Sequence, residues 1–502
     1  MALADTGRAK RPAEHRRRKA GDRLRVSKAE AVNRRWLWLG WLALWSVLSA
    51  QSLGASIDQL LSVEWLRYGY CGVVVRDLQT GETLYQRDAD RVLVPASNNK
   101  LLITAGALAL LGAEYRMRTE VWFNGARTPN GVLQGDLILV GKGDASLLYS
   151  DLQTLARAVY EAGIRQVQGR LLYDDTWLDA ERYGFGWNID DEPFGYQAQM
   201  SALCAERNAI RLYARPATVW EPPQIRLEPA TDYVHVINLA LTVPKAGGRT
   251  ALSATRVRAR NTLILTGTIA EDAPESFVGR YAVEAPSRYT AWLFRQALQE
   301  GGISVSGGLA PTALTLYPHA QPVAVHLSPP LRELIALINK PSDNLLTEVV
   351  LKVLGKERAG EGTTAAGIRV LMDFLRSAGL EMGAVQIVDG SGLSRMNAIS
   401  PENLVRLLMF MARSPHAEAY RNSLPVFGQD GTLRNRLRET PMQGKGFAKT
   451  GSLYRVSSLS GYLICKSGRT VAFAMVMNFY TVSASEARAL QDALVQLLWD
   501  NL

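Results

Sequence analysis

The apolar residues of the chain change rhythm three times. Gly72-Val73-Val74-Val75, a break at Thr80-Gly81 and Thr83-Leu84-Tyr85 predict a β-hairpin over residues 70 to 85. Pro95-Ala96-Ser97 then leads into a proline-free stretch with Leu101, Ile103, Ala105, Leu108 and Leu111 along it. This predicts a helix over 98 to 111 with Ser97 at its start. From about residue 120 to 319 the runs shorten and are broken by Gly and Pro, as at 132 to 140 and 261 to 265. They predict one or two β-rich domains, interrupted by a single helix over 152 to 162. Longer helices then return. Ser328-Pro329-Pro330-Leu331 and Ser400-Pro401-Glu402 each offer a capping serine and an early proline. Residues 457 to 464 and 470 to 478 predict a strand pair around the turn Lys466-Ser467-Gly468-Arg469, and 484 to 498 an amphipathic closing helix.

A hairpin and helix at the front, with strands and a helix at the back, predict a multidomain α/β protein. Its main body is an α/β sandwich with an antiparallel sheet built from both ends of the chain, and the β-rich stretch is an insertion. The expected division is a leader over 1 to 55, a first part of the main domain over 56 to 125, the insertion over 126 to 324 and a second part over 325 to 502. Cutting out the insertion is expected to leave a reactive main domain, because the motifs described below all lie outside it.

The net charge of +10 suggests a nucleic-acid or membrane partner until it is located. The first 35 residues hold 12 Lys and Arg against 4 Asp and Glu, which leaves 45 against 43 in the rest. The folded part is close to neutral, and no nucleic-acid partner is expected. Behind the basic head, residues 36 to 50 are uncharged and apolar, shorter than the roughly 20 residues of a spanning helix. They predict an export signal or an uncleaved anchor, hence a periplasmic location with membrane contact only through this segment. Cys71, Cys204 and Cys465 are scattered, and the five histidines show no ligand spacing, so neither a disulfide framework nor a metal or other cofactor is expected.

Ser97-Asn98-Asn99-Lys100 is the only Ser-x-x-Lys in the chain. Its spacing places hydroxyl and amine on one helical face, where a lysine relieved of its proton can activate the serine. Alone it also fits a helix cap. Ser342-Asp343-Asn344, before the apolar run Leu345-Leu346, fits a capping turn, and Lys449-Thr450-Gly451-Ser452 fits a turn or a strand that a substrate backbone approaches closely at Gly451. Lys466-Ser467-Gly468 falls in the hairpin turn and is set aside. Asp389-Gly390-Ser391-Gly392 reads first as a tight turn, with a place at the rim of a site as the alternative.

The order Ser-x-x-Lys, Ser-Asp-Asn, Lys-Thr-Gly resembles the active-site signature of penicillin-binding proteins and serine β-lactamases. The flanks Asn339-Lys340-Pro341 and Asp389-Gly390-Ser391-Gly392-Leu393, with the 241 residues between Lys100 and Ser342, narrow this. They resemble the class C low-molecular-mass penicillin-binding proteins, the D-alanyl-D-alanine carboxypeptidase/endopeptidase family. The resemblance implies a serine peptidase that cuts D-Ala-D-Ala ends or crosslinks of peptidoglycan stem peptides and is inhibited covalently by β-lactams. It implies Ser97 as nucleophile, Lys100 as base and Ser342 as a proton relay. Asn344, Lys449, Thr450 and Ser452 would hold the substrate, with the oxyanion between the N–H groups of Ser97 and Ser452. The competing readings are a serine β-lactamase or esterase on the same scaffold, separated by how fast a penicillin adduct is hydrolysed, and a non-catalytic wall-binding protein, which the intact motifs oppose.

Overall fold

The two ends of the chain are joined in one sheet. A computed structural model describes residues 52–502, so the basic head and the apolar stretch over 36 to 50 lie outside the described residues. Strands β1 (Tyr70–Asp77), β2 (Thr83–Arg87), β3 (Gly446–Leu453), β4 (Val456–Ile464) and β5 (Thr470–Asn478) form an antiparallel sheet in the order β3-β4-β5-β1-β2. Strand β1 meets β5 along its whole length, from Tyr70 opposite Asn478 to Asp77 opposite Val471. The Lys466-Ser467-Gly468 repeat is the β4–β5 turn, with Gly468 in the left-handed region.

Helix α1 (Asn99–Leu111) is apolar on every side, and its residues 99 to 108 are all buried, as such a helix must be. It packs against α2 (Leu331–Asn339), α3 (Asn344–Ala359) and α4 (Thr364–Ser377). Helix α5 (Pro401–Ala412), capped by the Ser400 hydroxyl on Asn403 N, lies against β1 and β5. Val74, Ala472, Ala474 and Val476 enter that core, while the alternate residues Val471, Phe473 and Met475 are buried on the other face. Helix α6 (Ala484–Asn501) packs on β4 and starts with a Ser483–Glu486 capping box. Among the described residues no helix is long and apolar enough to cross a membrane.

The excursion between α1 and α2 begins and finishes in one place. Strands Arg118–Arg127 and Gln321–Leu327 pair antiparallel, with Arg118 opposite Leu327. Leu331 N donates to Tyr115 O at 2.8 Å just outside them. The expected edges at 126 and 324 therefore fall inside paired strands. Sheets of seven, four and three strands fill the excursion. So do two helices, Tyr149–Glu161 as expected and Pro286–Glu300, which the reading missed although Tyr289, Leu293 and Ala297 recur at helical spacing behind Pro286. Ala145, Leu178, Ala198, Met200, Ala202 and Cys204 leave this segment to join Leu346, Val349 and Val353 in the main core. The chain from Ser56 on forms one compact unit. Removing the excursion would open that shared core, so the expected free-standing remainder has no support in the packing.

Ser328 does not cap α2. Pro330 occupies that position, and the buried Ser328 hydroxyl accepts Met117 N at 3.0 Å and donates to Pro329 O at 2.8 Å. Ser328→Ala leaves the Met117 N–H unpaired in the interior and is expected to cost about 1–3 kcal/mol of stability. Denaturant unfolding reads this as a lower midpoint; an unchanged midpoint would contradict the assignment.

Candidate active site

The chain reaches Ser97 through a strained turn. Ala96 takes a φ of 47°, in the left-handed region that costs a non-glycine residue about 1 kcal/mol, and Ala96–Asn98 form one 3-10 turn ahead of α1. Two close approaches hold the turn. A Cβ on Gly392 would fall 1.9 Å from Ala96 O, and one on Gly451 would fall 2.2 Å from Ser458 Oγ, 2.6 Å from Pro95 O and 3.0 Å from Ser97 N. Gly451 is thus needed by the backbone of the Ser97 turn behind β3, where the expectation placed the substrate. Asn98 Nδ2 donates to Ser458 Oγ at 2.7 Å, and Ser458 Oγ donates to Pro95 O at 2.6 Å, which ties the turn to β4.

Ser97 caps nothing, since α1 has no side-chain cap. Its Oγ lies 3.0 Å from Lys100 Nζ, one turn on. Lys100 is fully buried, and its other contacts are Asn344 Oδ1 and Ser391 O, each at 2.6 Å. Burial pulls the Lys100 ammonium down from 10.5 to about 8, against the opposing pull of Glu348, Asp389 and Asp343. An amine that has lost one proton keeps two N–H donors for Asn344 and Ser391, and its electron pair then faces the Ser97 hydroxyl.

Ser342 and Asn344 arrive from the head of α3. Asp343, not Ser342, is the cap and accepts Leu346 N at 2.9 Å. That leaves Ser342, at φ 63°, free to accept Lys449 Nζ at 2.9 Å. Lys449 is also buried, and burial together with the charge of Lys100 holds its ammonium well below the usual lysine range. Thr450 Oγ1 donates to Thr432 Oγ1 at 2.7 Å. On β3, Ala448 N donates outward to Pro425 O. By the two-residue alternation of a strand, the N–H groups of Thr450 and Ser452 face the same side, away from β4. Ser97, Lys100 and Asn344 are thus joined by one set of contacts and Ser342, Lys449 and Thr450 by another, while Ser452 follows Gly451 on β3.

Several partners were only partly legible or not at all. Asp389-Gly390-Ser391-Gly392, read first as a turn with a place at the rim of a site as the alternative, supplies the carbonyl on Lys100. Glu348 is buried beneath it; a lone acid among Leu345, Leu346, Val349 and Val350 was the available signal. The excursion also contributes. Asn344 Nδ2 donates to Tyr196 O at 2.8 Å, Trp187 Nε1 to Asp389 Oδ2 at 2.9 Å, and Arg207 Nε to Asp343 Oδ2 at 3.2 Å.

The same residues fall within a match to the model of the D-Ala-D-Ala carboxypeptidase 3 (S13) family, which spans residues 53–501. The chain belongs to this family. A D-alanyl-D-alanine carboxypeptidase of Actinomadura sp. (strain R39) is 37% identical over 454 residues, covering 88% of this chain and 83% of that one. The D-alanyl-D-alanine carboxypeptidase DacB of Haemophilus influenzae is 25% identical, covering 85% and 88%. The crystal structure of penicillin binding protein 4 from Haemophilus influenzae superposes with a TM-score of 0.74 at 22% identity, over 88% of this chain and 98% of that chain. The expected fold class, a multidomain α/β protein, and the expected enzyme class, a serine-type D-Ala-D-Ala carboxypeptidase, are those of the S13 family.

Gly451→Ala tests the contact between β3 and the Ser97 turn. Its methyl group forces Ser97 away from the strand, and the rate of covalent labelling by a fluorescent penicillin is expected to fall about a hundredfold, the scale of a 1 Å misplacement. Labelling within a few-fold of wild type would show that the turn tolerates the shift.

Proposed function

We propose that Ser97 Oγ attacks the carbonyl between two D-alanines of a peptidoglycan stem peptide, with Lys100 taking the hydroxyl proton. The observation that carries this reading is the 3.0 Å contact of a buried lysine whose other acceptors are already fixed. The Oγ–C bond forms as the C–N bond breaks, and the proton passes from Lys100 by way of Ser342 to the departing amine. Water then hydrolyses the ester, and Lys100 is again the base. Developing oxyanion charge falls between the N–H groups of Ser97 and Ser452, donors worth roughly 3 kcal/mol each in such sites. The close approach of Gly451 to Ser97 N supports their pairing. The substrate adds as a strand along the open edge of β3, with Asn344 holding its peptide.

Lys449 and Thr450 bind the terminal carboxylate. The arriving carboxylate restores charge to Lys449, and that positive charge beside Lys100 favours its neutral, basic form. A β-lactam ring presents the same carbonyl and carboxylate, so penicillin acylates Ser97 and inhibits the enzyme. Export through the N-terminal segment to the periplasm, with any membrane contact confined to that segment, completes the reading. So does an inserted unit bounded by the paired strands at 118 and 327, which contributes to the site through Trp187, Tyr196 and Arg207.

Ser97→Ala is expected to abolish both labelling by a fluorescent penicillin and release of D-alanine from a D-Ala-D-Ala peptide. Labelling that persists would overturn the assignment of the nucleophile. Acylation of the wild type is expected to rise with pH around a midpoint near 8, because the base acts only once deprotonated. Lys100→Ala is expected to slow acylation far more than it weakens initial binding. An acylation rate that is flat from pH 6 to 9 in the wild type would move the base role away from Lys100.

A further inference from the structure

The contacts of Lys100 depend on where the Ser391 carbonyl stands, and two buried carboxyl groups decide that. Glu348 lies four residues beyond Asn344 on α3, so the two share a helix face. It is 1% exposed, and its Oε2 accepts Gly390 N at 2.8 Å while Oε1 accepts Ser391 N at 2.7 Å. Asp389, fully buried, accepts Gly392 N at 2.8 Å, Ser394 N at 2.7 Å, Asn397 Nδ2 at 2.7 Å and Trp187 Nε1 at 2.9 Å. Three successive N–H groups, those of Gly390, Ser391 and Gly392, thus end on carboxylates. The peptide unit between Ser391 and Gly392 has its N–H on Asp389 and its C=O on Lys100. Hydrogen bonds in series polarise one another, which makes this carbonyl a stronger acceptor than an isolated one. A Gly-Ser-Gly segment has little stiffness of its own, so its place must be imposed from outside.

We infer that Glu348 is a positioning residue for acylation: by fixing the Gly390–Ser391 backbone it keeps the Ser391 carbonyl on one N–H of Lys100 while Asn344 holds a second, so that the amine's electron pair faces the Ser97 hydroxyl. The inference rests on Lys100 being the base. One face of α3 then sets two of the three contacts of that base, Asn344 directly and Glu348 through the loop. Both Glu348 oxygens accept and neither donates, which is the geometry of the ionised form. Holding that form is costly, since burial and the charge of Asp389 push the Glu348 carboxyl up to about 7. The charged groups facing this centre are Lys100, Asp389 and Asp343, with Lys449 beyond Lys100.

Glu348→Gln in the full chain keeps the volume and one acceptor but turns an amide N–H2 toward one of the two backbone N–H groups. Saturation kinetics with a fluorescent penicillin across pH, with thermal unfolding alongside, are the readouts. The acylation rate constant is expected to fall about tenfold to a hundredfold, part of what a positioned base contributes, with little change in the half-saturating concentration. Its pH midpoint is expected below that of the wild type, because the lost carboxylate had favoured the ammonium. A lower unfolding temperature with unchanged rate constant and midpoint would assign Glu348 a structural role only and overturn the inference. Lys100→Ala measured in parallel separates the two claims. A fast Lys100→Ala enzyme defeats the base assignment itself, whereas a slow one beside a Glu348→Gln enzyme of wild-type rate and midpoint defeats only this inference. Should Glu348→Gln not fold, wild-type protein labelled with 15N at glycine and serine gives a second reading. The Gly392 amide, in the same peptide unit as the Ser391 carbonyl, is expected to shift across the pH range in which acylation switches on, while those of Gly390 and Ser391 stay on an ionised Glu348; a Gly392 resonance that stays fixed would show that the carbonyl is not held on Lys100 and overturn the inference.

Discussion

An ammonium group buried among three fixed acceptors is the constraint around which the rest of this molecule is arranged. Charge in the interior is costly unless it is met on every side. Lys100 is met by Ser97 Oγ, Asn344 Oδ1 and Ser391 O. The site exploits this cost: burial makes the proton easy to lose, and the geometry dictates where the freed electron pair points. Lys449, equally buried, is set against Ser342 in the same way.

Such a centre cannot be built from one stretch of chain. Its parts come from the turn before α1, the head of α3, the 389 to 392 loop and β3, brought together because β1 pairs with β5 and β3 lies two strands beyond. Small residues allow the closest approaches, with Gly392 against Ala96 and Gly451 against the Ser97 turn. The excursion between α1 and α2 also belongs to this arrangement. It fills part of the main core and touches Asn344, Asp343 and Asp389.

The elements of the main body were legible because their periodicity and their breaks are local. Strand β5 and the start of α6 fall where the pattern places them, and the Ser-x-x-Lys and Ser-Asp-Asn segments meet at Lys100. What the sequence hid was what depends on distant neighbours. The Pro286–Glu300 helix was passed over inside a β-like texture. Ser328 carries a capping pattern yet serves Met117, because the strand at 118 brings that backbone alongside it. Gly451 suggested room for substrate, whereas the room is taken by Pro95 and Ser97. Glu348 carries no motif, Asp389 stood in a Gly-rich segment that read first as a turn, and Tyr196 acts through its backbone carbonyl, which no side-chain pattern can signal.

The central claim is that burial alone makes Lys100 the base, before any substrate arrives. Protein labelled with 13C at the lysine ε-carbon, with Lys100 assigned by comparison with Lys100→Arg, allows that one side chain to be titrated directly in the free enzyme by NMR. A Lys100 resonance that titrates near pH 8, well below the ordinary lysine value, is predicted. A Lys100 that keeps its proton to the ordinary lysine value of 10.5 would contradict it.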